Sequence, residues 1–252
     1  VLNYTPIEEK NGYFFKRDDY YEFAGIRGGK VRSAKWLIDN GIKNGYTTFT
    51  SAGSKQSPQI VILSRICEYY EVNFVAHCPS GKLSEELKSI QDNHFTEIIQ
   101  HRPGYNNVII SRAKKYSEEN NVYYIPFGME CREAIEQTKE QVKNIPSETS
   151  RIVIPVGSGM SMAGILNGLE EQGKNHIPVL GVSVGANPEN RLKKFSPFLY
   201  TNYSLVQSAL DYHTYVKNNI FQGVILDPIY EAKCIPFLEK GDLLWIVGIR
   251  NL

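Results

Sequence analysis

The chain has 252 residues, 42% of them hydrophobic, which is enough for one large or two small domains with buried cores. With 28 Lys and Arg against 27 Asp and Glu the net charge is +1, and nothing in it points to a nucleic-acid or strongly acidic partner. Cys67, Cys78, Cys131, Cys234 and the five histidines are scattered without disulfide or metal-ligand spacing, and no apolar run nears the ~20 residues that cross a bilayer. Dispersed cysteines and the absence of a signal-peptide pattern lead to the expectation of a cytoplasmic protein with reduced thiols, no membrane anchor and no metal.

In chain order, Phe15-Lys16-Arg17-Asp18-Asp19 comes first, followed by Ile26-Arg27-Gly28-Gly29-Lys30-Val31-Arg32, a double glycine opening a helix. A lysine in such a backbone-rich turn acts as an amine nucleophile if a cleft desolvates it, and is a solvated surface lysine otherwise. Strand-like and amphipathic helical runs then alternate, the mark of a parallel sheet with crossover helices. Strands are predicted at 47–50, 72–76, 95–100, 122–126, 152–156, 179–184 and 243–249. Helices are predicted at 58–70, 84–92, 106–118, 130–142, 162–169, 204–217 and 228–238.

Two strand-to-helix turns stand apart. In Ser51-Ala52-Gly53-Ser54-Lys55-Gln56-Ser57-Pro58-Gln59 a hydroxyl-rich loop leads into a helix with Pro58 at its first position. In Val156-Gly157-Ser158-Gly159-Met160-Ser161 two glycines let the backbone turn with its N–H groups inward, and the following helix aims its unpaired N–H groups at the same point. This loop can hold an anion, a phosphate above all, or it can be a plain turn with Ser161 as N-cap. A nucleoside-triphosphate loop would need Gly-Lys-Ser/Thr at its end, and Met160 and Met162 flank Ser161 instead. A nicotinamide fold would need an acidic residue after the next strand, where Gly185-Ala186-Asn187 stands. Near the carboxyl end, Asp227-Pro228-Ile229-Tyr230-Glu231-Ala232-Lys233 reads as a capped helix start with Tyr230 and Glu231 in its first turn.

Taken in order, Lys16 to Asp19, Gly28 to Arg32, Gln56 to Gln59, Gly157 to Ser161 and Asp227 to Lys233 resemble the fold-type-II pyridoxal-phosphate enzymes. Within them the similarity is to the 1-aminocyclopropane-1-carboxylate deaminase and D-cysteine desulfhydrase family, from about Thr5 to the carboxyl end. The resemblance implies a two-domain α/β fold of the tryptophan synthase β-like kind, with open, mostly parallel sheets and helices on both faces. Residues 36–130 would form the smaller domain, and 1–35 with 131–252 the larger, cofactor-binding one. Pyridoxal 5'-phosphate is the implied cofactor. By position, Lys30 matches the lysine of the internal aldimine, and Gly157, Ser158, Gly159, Met160 and Ser161 match the phosphate loop. Ser57 and Gln59 match the segment that receives the substrate carboxylate, with Ser57 also near the proton path. Glu231 matches the carboxylate on the pyridine nitrogen, which keeps the ring protonated and favours quinonoid chemistry, and Tyr230 matches an active-site tyrosine. Tyr200 and Tyr203 are the candidates for a second tyrosine.

The implied activity is that of a lyase or deaminase on a small amino acid, working through an external aldimine and a quinonoid, in a homodimer. Two features depart from the family: Pro58 stands where asparagine is usual, and Gly29 precedes the lysine where asparagine is common. Those departures, with the short chain, open a second reading, a decarboxylase or eliminating enzyme on an amino acid joined to a larger molecule such as a phage-type modified nucleotide or DNA base. A nucleic-acid partner would enter only through such a tethered substrate. A third reading is a non-catalytic protein that binds the cofactor or an amino acid; the presence of both Lys30 and Glu231 argues against it.

Overall fold

Alternating strand and helix runs are realised as two parallel-rich sheets, described in a computed structural model for residues 4–55, 57–102, 104–185, 187–196 and 202–248. The elements begin with β1 (Ile7–Lys10) and β2 (Tyr13–Arg17), then α1 (Gly29–Lys43), β3 (Thr48–Ala52) and α2 (Pro58–Tyr69). Next come β4 (Asn73–Pro79), α3 (Glu85–Lys88), β5 (Thr96–His101), α4 (Asn106–Asn120) and β6 (Tyr123–Ile125). The remainder holds α5 (Arg132–Lys139), β7 (Arg151–Val156), α6 (Met160–Glu171), β8 (Val179–Ser183), α7 (Glu189–Phe195), β9 (Tyr203–Gln207) and β10 (Asp242–Ile246). The chain forms two compact units, one of Val1–Tyr21, Arg27–Gly29 and Ile135–Leu252, the other of Glu22–Ile26 and Lys30–Ala134.

In the first unit the sheet runs β1-β2-β10-β7-β8-β9, with only β1 antiparallel to its neighbour. β7, β8 and β10 are near-continuous apolar runs because both faces of a parallel sheet are covered. Alternation divides their side chains: Ile152, Ile154, Val156, Leu243 and Trp245 join one core with α6 and α7, while Val153, Leu180, Val182, Leu244 and Ile246 join another with Phe15 and Ala232. The second unit holds an all-parallel sheet, β5-β4-β3-β6, flanked by α2 and α4.

Three sequence expectations are corrected. Residues 204–217 are not a helix: Tyr203–Gln207 pairs in parallel with Val179–Ser183 as the sheet's edge strand, since Ser204-Leu205-Val206-Gln207 offers no 3.6-residue apolar face to a core. The stretch 228–238 is a 3-10 helix, Glu231–Phe237, with Pro236 inside it, rather than an α-helix. The 84–92 helix is a single turn, Glu85–Lys88, and the amino-terminal hairpin of β1 and β2 was not anticipated. Ile249, expected to end the last strand, lies outside the described residues.

Helix α6 approaches its neighbours through glycine. A Cβ on Gly164 would lie 2.7 Å from Thr138 Cβ, and one on Gly168 would lie 2.6 Å from the carbonyl oxygen of Lys139 and closer still to Val142. In an exposed helix Gly→Ala stabilises, but here the added methyl meets fixed backbone. Gly168→Ala is therefore expected to destabilise the protein by ~1–3 kcal/mol in denaturant unfolding. A neutral or stabilising effect would show that α6 is free to shift outward.

Candidate active site

The carboxyl ends of parallel strands are where open α/β sheets bind ligands, and three of the motifs lie at such ends. In the first unit β7 stops at Val156, Gly157 and Ser158 turn, and Gly159, at φ +91°, is the N-cap from which α6 starts at Met160. Ser161 is thus inside the first turn and is not the cap. The helix's first internal bond runs from the Ala163 N–H to the Gly159 carbonyl, so the N–H groups of Met160, Ser161 and Met162 have no partner within the helix. Gly157 and Gly159 are needed for close approach. A Cβ on Gly157 would stand 3.1 Å from the Tyr230 ring, and one on Gly159 3.3 Å from Pro188.

Tyr230 and Glu231 are positioned by a cap. Asp227 Oδ1 accepts from the N–H groups of Ile229 and Tyr230, both at 2.9 Å, which fixes the turn into the 3-10 helix. Glu231 is 1% exposed. Its Oε1 accepts from the Val247 N–H at 2.9 Å, while Oε2 has no hydrogen-bond partner among the described residues. Burial, and next the Asp227 carboxylate, push its carboxyl well above the usual range, outweighing the backbone N–H groups that favour the ionised form.

Val247 carries the link onward. Its carbonyl accepts from the Gly29 N–H at 2.7 Å, and Gly28, at φ +126°, packs so tightly there that a Cβ would lie 3.2 Å from the same oxygen. Lys30 follows Gly29 by one peptide bond and is half-buried at the start of α1. The double glycine thus lays the backbone before Lys30 along the strand end that holds Glu231. Gly29 has a further reason to lack a side chain: Asp18 Oδ2 occupies the place its Cβ would take.

The second unit holds Ser57 and Gln59. Ser57 is the N-cap of α2, half-buried, with its N–H bonded to the Ser54 carbonyl and Pro58 next at the first helical position. Gln59 is 3% exposed, and its Nε2 donates to Ser51 Oγ at 2.9 Å and to the Pro126 carbonyl at 2.8 Å. Its amide therefore clamps β3 to the end of β6, leaving its backbone N–H for any ligand of this turn.

Of the tyrosines suggested to complete the site, Tyr200 lies outside the described residues. Tyr203 is at the wrong end of the sheet: it pairs with Val179, at the amino end of β8, and packs into the core, roughly 13 Å upstream of the carboxyl end of its strand. Tyr212, which follows β9 into the loop, is the one the structure brings in. The Tyr230 hydroxyl donates to that of Tyr212 at 3.4 Å, with the rings edge to face at 5.9 Å. Reading 204–217 as a helix hid it; a strand ending at Gln207 puts the next tyrosine at the ligand-binding edge.

No family model matches the chain. It is 28% identical over 219 residues, 74% of its length, to a Salmonella phage ViI protein named O-seryl-dTMP PLP-dependent decarboxylase, and spans only about half of that protein, 52%. It is 26% identical to a Thermotoga maritima protein named as a 1-aminocyclopropane-1-carboxylate deaminase, covering 92% of this chain and 87% of that one. The crystal structure of a 1-aminocyclopropane-1-carboxylate deaminase homologue shares the fold, at a TM-score of 0.82 and 19% identity, over 97% of this chain and 89% of the other.

The residues fit pyridoxal phosphate. A buried carboxyl with one orphaned oxygen suits a protonated ring nitrogen, and the glycine loop with its unpaired N–H groups suits a phosphate. Among the described residues no cluster of three His, Cys, Asp or Glu side chains forms a metal site, and no helix is long and apolar enough to cross a membrane.

The raised pKa of Glu231 has a consequence for the cofactor-free protein. A carboxyl whose folded pKa exceeds its unfolded value contributes stability that is complete below the unfolded pKa and is lost as pH rises through the folded one. Chemical unfolding of the cofactor-free protein is expected to show stability falling over that rise, and Glu231→Gln to lose this part of the slope. Identical pH profiles for the two proteins would contradict the placement of Glu231.

Proposed function

We propose, on the premise that this chain is a fold-type-II pyridoxal-phosphate-dependent enzyme resembling the 1-aminocyclopropane-1-carboxylate deaminase and D-cysteine desulfhydrase family, that it acts as a lyase or deaminase on an amino-acid substrate. The observation that carries the reading is Glu231, a fully buried carboxyl with one oxygen held by backbone and the other unpartnered among the described residues. When bound, pyridoxal phosphate supplies an aldehyde for an amine and a ring that withdraws electrons from the carbon beside that amine.

The chain's own residues divide the remaining work. Gly157 to Ser161 receive the phosphate on the N–H groups at the start of α6. Glu231 Oε2 holds the proton at the ring nitrogen. Lys30 Nζ would be the amine that holds the cofactor's aldehyde carbon, and the same amine could carry the proton at the substrate's α or γ carbon. The Tyr230 and Tyr212 hydroxyls, linked to each other, offer a second path for a proton. Ser57 Oγ and the first N–H groups of α2 receive the substrate carboxylate. Pro58 contributes no N–H there, and the Gln59 amide is already committed, so the grip on that carboxylate is reduced.

That reduced grip, with the phage relative, favours one second reading: decarboxylation of an amino acid joined to a nucleotide. A carboxylate that is to leave as carbon dioxide gains from a weakly bonded, poorly solvated seat.

The purified protein is expected to show a visible absorbance band, and borohydride followed by peptide mapping to place the cofactor on Lys30. Label on Lys35 or Lys55, or no label, would refute the assignment. Amino acids screened for release of ammonia, sulfide, keto acid or carbon dioxide are expected to give turnover that Lys30→Ala abolishes. Silence with every free amino acid, together with carbon dioxide from a nucleotide-linked one, would replace the first reading by the second.

A further inference from the structure

A second strand end borders the glycine loop. In the parallel pairing of β7 with β8, Ser183 stands opposite Val156, the last residue before Gly157. The face its side chain takes follows from Gly181, two residues earlier. A Cβ there would lie 2.7 Å from Met162 Sδ and 2.9 Å from Val156 Cγ2, so position 181 faces α6. Strand side chains alternate, so Ser183 faces α6 too, about 6–7 Å nearer the carboxyl end of β8, where α6 begins. Ser183 is 4% exposed, and its Oγ has no hydrogen-bond partner among the described residues. The backbone around it is spent in the sheet: its carbonyl accepts from the Ser208 N–H at 2.9 Å, and the next N–H, that of Val184, donates to the Val156 carbonyl at 3.0 Å.

The buried serines of the other unit are bonded. Ser33 Oγ donates to the Ala134 carbonyl at 3.0 Å, Ser51 Oγ donates to that of Ile125 at 2.8 Å, and Ser64 Oγ bonds Thr96 Oγ1 at 2.7 Å. A buried hydroxyl without a partner lowers stability, and alanine in its place would not. Ser183 Oγ lies on the face of the sheet that meets the first turn of α6, yet it accepts none of the N–H groups of Met160, Ser161 and Met162. An orphaned hydroxyl and a set of orphaned N–H groups on one side of a sheet are donors that share a need for an acceptor, and an anion meets it. We infer that Ser183 is a phosphate-binding residue, its Oγ donating to the anion seated at the start of α6. This rests on the assignment of the loop to the cofactor's phosphate. Among the described residues Thr149 Oγ1 is also buried and orphaned, but it precedes β7 at the opposite end of the sheet, away from the loop.

The test joins two measurements on the cofactor-stripped protein, for wild type, Ser183→Ala and, as a control, Thr149→Val. The first is titration with pyridoxal phosphate and, separately, with pyridoxal, followed by absorbance. Ser183→Ala is expected to weaken pyridoxal phosphate by about tenfold or more while pyridoxal stays within about twofold, and Thr149→Val to leave both within about twofold. The second is denaturant unfolding without ligand, where Ser183→Ala is expected to have a midpoint no lower than wild type, because it removes a hydroxyl that lacks a partner. Inorganic phosphate is expected to raise the midpoint of wild type and to raise that of Ser183→Ala less. Equal weakening of both aldehydes would make Ser183 a support for the strand end, and no change in either would remove it from the site. A lowered midpoint without ligand would show the hydroxyl already bonded within the protein. Each of these overturns the inference while leaving the cofactor reading intact. A wild-type protein that takes up neither aldehyde would overturn the cofactor reading and the inference with it.

Discussion

A carboxyl group at the bottom of a folded chain is the constraint on which the rest of this architecture turns. Removing an ionised carboxylate from water costs several kcal/mol unless a partner compensates, so Glu231 must be neutral or matched to a cation. The chain does not provide that cation through a neighbouring lysine or arginine bonded to Oε2 among the described residues. It provides backbone N–H groups, that of Val247 among them, and places the Asp227 carboxylate near enough to raise the pKa further. Such an arrangement makes sense if the partner is brought in from outside, and a protonated ring nitrogen is a partner of the right kind.

The same strand end organises the other parts. Val247 faces Glu231 with its N–H and Gly29 with its carbonyl, so one residue sets both the Glu231 carboxyl and the backbone that leads to Lys30. Two glycines at 28 and 29 are the condition for that closeness, and the Asp18 side chain fills the space that a side chain on residue 29 would need. At the neighbouring strand end Gly157 leaves room for the Tyr230 ring, and Gly159 leaves room for α7. Glycine at these positions is required by what packs against it, and the shape of the loop from Gly157 to Ser161 is one consequence of that packing.

Much of this was legible in the chain. The apolar runs of β7, β8 and β10 and the motifs from Lys30 to Glu231 are local signals, readable without knowledge of what lies opposite. What was hidden depends on partners far away. Tyr203–Gln207 looks helical until Val179–Ser183 is there to pair with it, and with that strand missed, Tyr212 had no reason to stand out. Gln59 carries the residue type of a ligand-binding amide, yet Ser51 and Pro126 take its hydrogen bonds. Asp227 and Pro228 announced a helix start, and Pro236 together with the tight turn at Glu231 made it a 3-10 helix.

Two outcomes remain chemically open to one set of residues: retaining the substrate carboxylate while the amino group or sulfur leaves, or losing it as carbon dioxide. On the proposed reading both require the ring to stay protonated while it draws electrons from the substrate, and both would depend on Glu231. The most direct measurement is the nitrogen-15 chemical shift of ring-labelled pyridoxal phosphate bound to the protein. A protonated ring nitrogen in wild type that becomes unprotonated in Glu231→Gln is the result this account requires. A ring nitrogen that is unprotonated in wild type, or unchanged by the substitution, would contradict it.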